Sequence, residues 1–223
     1  EKFDGSSNTL TTSMKSVGES MAIGRSFEES FQKALRSLEI GISGWESDGI
    51  ISLEHENDLI NNLRTPTAER ILFIKKAMEL GKDNSYINKA SNIDLWFIEK
   101  LRIIFDFENK YLKNSDLFSL NKEIILKAKQ LGFSDKQIAN LTNNDFFEVR
   151  NYRISLNVLP IYKTVDTCSA EFESTTPYHY STYEDAFNNG DEDLIDNEGF
   201  RDEREDLKKV MILGGGPNRI GQG

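Results

Sequence analysis

The last ten residues, Gly214-Gly-Gly-Pro-Asn-Arg-Ile-Gly-Gln-Gly223, have the composition of a turn that can approach an anion. Glycine lets main-chain groups come close to a ligand or a strand, and amides at a following helix start favour negative charge. The run lacks the Gly-x-x-x-x-Gly-Lys-Ser/Thr spacing of a phosphate loop. It also fails the dinucleotide pattern, because Pro217 stands two places after Gly215 where glycine is needed. Two readings therefore stay open for Gly214, Gly215, Gly216, Asn218 and Arg219: contact with a ligand, or a structural strand-to-helix turn. Arg219 could equally meet an anion or an ion-pair partner from another domain.

Other reactive side chains are sparse. His55 sits between Glu54 and Glu56 and His179 between Tyr178 and Tyr180, and neither group supplies the convergent ligands of a metal site. Both read as structural or surface residues. Cys168 reads as a small buried cysteine, since nothing at its spacing from His179 supplies a third orienting group. Carboxylates are densest over residues 184–206, where eleven acidic residues face two arginines, and a solvated loop explains them better than a magnesium site. Trp96, Phe97 and Phe105 are expected to fill a core or an interface and not to stack on a cofactor.

The elements that would position these residues are mostly helical. Residues 1–24 are polar and turn-forming. Ser26 starts a helix whose Phe27, Phe31, Ala34, Leu35 and Leu38 share a face, with Glu29 closing a capping box and Gly41 as the stop. The glycine-rich interval Gly41 to Gly49 is the best boundary. Thr65-Pro66 signals another helix start, and a short helix is expected over Tyr86 to Ala90. A long helix capped by Asn92 spans Ile93 to Leu112, and its apolar surface is too broad for a solitary exposed helix. Shorter helices follow at Lys122 to Gln130, after Ser134, and from Asp145 to Leu156 with Asn144 as cap. A small all-helical domain is thus expected over roughly 50–157. After Pro160 the pattern becomes extended, and Lys209 to Leu213 reads as a buried strand that needs parallel neighbours.

Composition narrows the function classes. With 27 basic and 37 acidic residues the net charge is −10, which argues against a broad basic surface for nucleic acid or an anionic membrane. A single cysteine forbids an internal disulfide and fits a reducing, cytoplasmic setting. No apolar run approaches the length needed to span a bilayer. The absence of an initiating methionine and the partnerless strand both suggest a segment of a longer protein.

Two separated runs carry a family resemblance. Met14-Lys-Ser-Val-Gly-Glu-Ser-Met-Ala-Ile-Gly-Arg-Ser-Phe-Glu-Glu-Ser-Phe-Gln-Lys-Ala-Leu-Arg36 resembles the end of the first synthetase half of the large chain of glutamine-hydrolysing carbamoyl-phosphate synthase. The run from Val165-Asp-Thr-Cys-Ser-Ala-Glu-Phe172 through Tyr180-Ser-Thr-Tyr-Glu184 to Val210-Met-Ile-Leu-Gly-Gly-Gly-Pro-Asn-Arg-Ile-Gly-Gln-Gly223 is similar to the bridge into its second half. The acidic run 185–206 looks longer than the usual bridge.

The resemblance implies a predominantly α fold, in which a small helical oligomerisation domain is flanked by partial α/β ATP-grasp-associated segments. Residues 1–45 would be the tail of the first, carboxyphosphate half, 46–205 the oligomerisation domain with its acidic exit linker, and 206–223 the first strand and glycine-rich turn of the second half. It implies a complete ligase that makes carbamoyl phosphate from bicarbonate, glutamine-derived ammonia and two ATP, with Mg or Mn, for arginine and pyrimidine biosynthesis. A glutaminase, separate or fused, is the implied partner, and self-association is expected through the helical domain. ATP, metal and catalytic positions would lie outside this segment, which alone is expected to be inactive. Gly214, Gly215, Gly216, Asn218 and Arg219 would lie near the passage for labile intermediates. The alternative is a free-standing helical binding module.

Overall fold

Short polar residues open most of the helices by accepting hydrogen bonds from otherwise unpaired first-turn amides. Ser26 caps α1 (Phe27–Ser37), Asp83 caps α4 (Asn84–Ser91) and Asp94 caps α5 (Leu95–Phe107). Asn121 caps α6 (Lys122–Gln130), Ser134 caps α7 (Asp135–Thr142) and Asp145 caps α8 (Phe146–Ser155). The computed structural model describes residues 5–16, 18–46, 51, 56–169, 171–172, 176, 178–184, 208, 210 and 218–219. Among these residues the fold is predominantly α, with two short antiparallel strand pairs.

Several local expectations shift. Between the expected boundary and Pro66 lies a helix that the sequence reading did not assign, α2 (Glu56–Arg64). Pro66 belongs to the turn after it, and α3 begins only at Arg70 (Arg70–Glu79). Asn92 does not cap α5. It ends α4 in the left-handed conformation at φ 55°, and Asp94 takes over as cap two residues later. The long helix leaves α geometry after Phe107 and continues as a wide π turn over Glu108–Leu112. At α8 the cap is Asp145, one residue after Asn144, with Glu148 reciprocating. Glu29 does not return to Ser26, because its carboxylate takes the amide of Arg25 at 2.7 Å. Asn92, Asn114, Asn143 and Asn157 all hold positive φ of 55–59° at or just beyond the ends of helical segments.

One apolar cluster joins all the helices. Leu59 and Leu63 of α2, Ile74 and Ala77 of α3, Ile87 of α4, and Ile98, Leu101 and Ile104 of α5 are buried in it. Each of these leucines and isoleucines contributes about 1.5–3 kcal/mol by leaving water. Trp45, from the glycine-rich interval, is fully buried in the same cluster. Its indole N–H donates to the Ile71 carbonyl at 3.0 Å, and its amide donates to Gln32 Oε1 at 3.2 Å. Gly44 makes this approach possible, since a Cβ there would stand 2.1 Å from Oε1 of the buried Gln137.

Two buried ion clusters fix the helices against one another. Lys75 Nζ lies 2.8 Å from both carboxylate oxygens of Glu108 in the π turn and 2.6 Å from the Trp45 carbonyl. Burial pushes the Glu108 carboxyl up, and the Lys75 charge opposes that shift. Asp135, at the start of α7, accepts from Lys129 at 2.8 Å and takes Arg153 of α8 through Nε and Nη2, at 3.1 and 2.9 Å. Burial drives the Lys129 ammonium down to about 8 although Asp135 holds it charged. After α8 the chain forms a hairpin of β2 (Ile161–Thr164) and β3 (His179–Thr182), with Ile161 opposite Thr182 and Thr164 opposite His179. Tyr183 follows and lies over both cations, 5.2 Å from Lys129 Nζ and 5.7 Å from the Arg153 guanidinium. Burial pushes its phenol up to about 12.

Asp135→Asn strands two cations in the interior and is expected to lower the unfolding free energy by about 3–5 kcal/mol, read from urea denaturation at pH 7. The alkaline limb of stability has a defined sign. Lys129 holds its proton less tightly folded (about 8) than at its ordinary 10.5, so the unfolded chain binds more protons between those values and stability rises with pH. Tyr183 is the reverse: its folded value of about 12 exceeds the ordinary 10.0, so its contribution is complete below pH 10 and is lost as pH climbs towards 12. The unfolding free energy read from urea denaturation should therefore climb above pH 8, by up to about 1.4 kcal/mol per pH unit, and turn down above about pH 10. The climb should vanish in Lys129→Met; a climb of equal slope in that variant would remove Lys129 as its source.

Candidate functional site

The structure divides the five glycine-run candidates. Gly214, Gly215 and Gly216 lie outside the described residues, as do His55, the acidic run 185–206 and most of the expected strand Lys209 to Leu213. Asn218 and Arg219 form β4 (Asn218–Arg219), which pairs antiparallel with β1 (Gly18–Glu19). The register sets Gly18 opposite Arg219 and Glu19 opposite Asn218. Main-chain bonding thus joins the first of the two informative sequence runs to the end of the second.

The remaining reactive residues are dispersed. His179 is exposed on β3, with Nδ1 3.5 Å from Thr164 Oγ1. Cys168 is half-buried and not buried as expected, because it lies in the connection between β2 and β3, where its amide donates to Asp166 Oδ1 at 2.8 Å. Among the described residues no group of three or more His, Cys, Asp or Glu is placed to hold a metal ion. No described helix is long and apolar enough to cross a membrane.

What the helices do present is apolar surface. On α5, Trp96 and Phe97 are 48% and 45% exposed, and Leu95 and Ile103 are exposed beside them. The two rings meet edge to face at 4.9 Å, and Phe27 of α1 approaches them at 5.4 and 5.7 Å. Phe105 differs: it is half-buried against the core. A second face exposes Phe146, Phe147 and Ile154 of α8, with Phe118 packed on Tyr152 at 5.3 Å. Clustered aromatic exposure of this kind marks surfaces that meet another protein or another domain.

Between the start of α1, α5, α6 and the outgoing strand lies a cleft of about 590 Å³. It is lined by Arg25, Glu28, Lys100, Lys127, Gln130 and Glu184, among others. Two of its cations already hold carboxylates: Lys100 lies 3.4 Å from Glu28 and Arg25 lies 3.3 Å from Glu184. Sequence reasoning gave Glu28 and Glu184 no partner, because each finds its counter-ion on a distant element.

A family profile described as carbamoyl-phosphate synthetase large chain, oligomerisation domain, matches residues 19–157. This chain belongs to the carbamoyl-phosphate synthetase large-chain family. Its matched residues run from β1 to just past α8 and correspond to the oligomerisation domain. Over its whole length the chain is 49% identical to the carbamoyl phosphate synthase large chain of Nostoc sp. and 45% identical to that of Archaeoglobus fulgidus. It is 50% identical to the arginine-specific chloroplastic large chain of Arabidopsis thaliana. The alignments cover 19%, 20% and 18% of those proteins respectively, so the chain spans about a fifth of the curated relatives it matches.

Proposed function

We propose that this chain is the connecting and self-associating segment of a glutamine-dependent carbamoyl-phosphate synthase. The match of residues 19–157 to the oligomerisation domain carries this reading. In this reading the end of the first synthetase half leads into the oligomerisation domain matched over 19–157, an outgoing linker follows to about 205, and 206–223 are the start of the second half. The complete cytoplasmic ligase would join bicarbonate, glutamine-derived ammonia and two ATP, supplying arginine and pyrimidine biosynthesis with a glutaminase as partner. ATP with its Mg or Mn would be held by those halves, and the segment alone would turn nothing over.

Two observations support the structural role. The aromatic faces on α5 and α8 offer area for a second copy, and the β1–β4 pairing brings the two flanking runs side by side. In the passage reading, Gly214, Gly215, Gly216, Asn218 and Arg219 would help shape the path of labile intermediates; in the other reading they form a structural strand-to-helix turn.

Light scattering over a dilution series tests the association. The intact chain should exceed its monomer mass of 25.5 kDa at high concentration and approach it on dilution. Phe97→Ser and Phe147→Ser assign the face, since the variant that dissociates at higher concentration than the parent marks the contact. A monomer mass at every concentration of the parent chain overturns self-association through this segment.

A further inference from the structure

Glu29 is 1% exposed, and its Oε2 accepts two hydrogen bonds from opposite ends of the sequence. One comes from the Arg25 amide at 2.7 Å, in the segment that leads into α1; the other comes from the Thr182 hydroxyl at 3.0 Å, at the end of β3. Its other oxygen pairs with Lys33 at 2.7 Å, one turn further along α1. Lys33 repeats the pattern with its remaining donors, one to the Ile23 carbonyl at 2.9 Å and one to the Ser181 carbonyl. The ammonium thus donates two hydrogen bonds and faces Glu29 Oε1 as its counter-ion, an oxygen that is buried and accepts no hydrogen bond. A single ion pair on α1, its carboxylate buried and its ammonium half-buried, thus grips the incoming segment twice and the outgoing strand twice.

The surroundings leave this grip little slack. A Cβ on Gly24 would stand 2.9 Å from Glu29 Oε2. Thr182 is 1% exposed, and the next two residues of the outgoing strand are engaged as well, Tyr183 over Lys129 and Arg153 and Glu184 on Arg25. A two-stranded hairpin is marginal in water by itself, so β2 and β3 persist because they are docked.

We propose that Glu29 and Lys33 form a latch that ties the incoming and outgoing connectors of the helical domain together, so that the two release and re-dock as one unit while the helical core stays folded. The latch deepens the proposed role between two synthetase halves: a movement delivered to one connector is passed to the other through the Glu29–Lys33 pair, with the Arg25–Glu184 contact beside it.

Amide hydrogen exchange read at single residues on the intact chain tests the latch. Thr182→Val removes only the outgoing hydroxyl, and Arg25 N–H keeps its own acceptor. The latch nevertheless requires the Arg25 amide and the β2 and β3 amides to speed up together, by roughly ten- to a hundredfold, the scale set by a lost bond to a buried charge. Amides of α4 to α7 should be unchanged, Thr182→Ser should restore the parent rates, and Glu29→Gln should release both connectors. Faster exchange in the hairpin alone, with Arg25 unmoved, overturns the coupling, and so does an equal rise throughout the helices. These rates are independent of the mass measurement, so the latch and the association reading can fail separately.

Discussion

A carboxylate withdrawn from water has to be met from several directions, and Asp135 shows how much of this fold follows from that demand. It lies at the junction of α6, α7 and α8 and receives Lys129 from one side and the Arg153 guanidinium from the other. Lys129 and Arg153 spend their spare donors on the carbonyls of Phe133 and Val158, which set the paths of the chain out of α6 and α8. Tyr183 closes the cluster with its ring, so the outgoing strand is positioned by the same two cations. Three helix ends and the end of the outgoing strand thus meet around a single acid.

The helices were legible where their signals are local. Ser26 and Ser134 act within four residues of themselves, and α6 falls on its expected limits, whereas at α8 the cap was read one residue early, at Asn144 in place of Asp145. Asn92 misled because asparagine serves equally at either end of a helix, and only the neighbouring Asp94 decides which end is occupied. The helix α2 escaped because its nine residues include three asparagines and only Leu59, Ile60 and Leu63 as apolar residues. Two of those, Leu59 and Leu63, lie one turn apart and enter the core, which rescues a segment of weak propensity. Trp45 was hidden among glycines that read as a loop, although Gly44 is the residue that lets the backbone come close enough to bury it.

The polar interior was not legible at all. Lys129 and Asp135 stand six residues apart across a turn, Lys75 and Glu108 thirty-three apart, and Glu29 and Thr182 more than a hundred and fifty. No helical or strand period links such positions, and each side chain read separately looks like ordinary surface charge. The same holds for β1 and β4, strands of two residues whose pairing is a property of the folded chain. The family resemblance located these segments in a larger protein, while the contacts that join them belong to tertiary structure.

The asparagines that close the helical segments bear on the chain before it folds. Asn92, Asn114, Asn143 and Asn157 adopt a backbone conformation for which glycine is the usual choice. A glycine at each would fit without strain, yet it would widen the range of shapes open to the unfolded chain and raise the entropy surrendered on folding. Asparagine accepts a little steric tension in the native turn and keeps the denatured ensemble narrower. Repeated four times, that choice biases the disordered polymer towards breaking its helices at these joints.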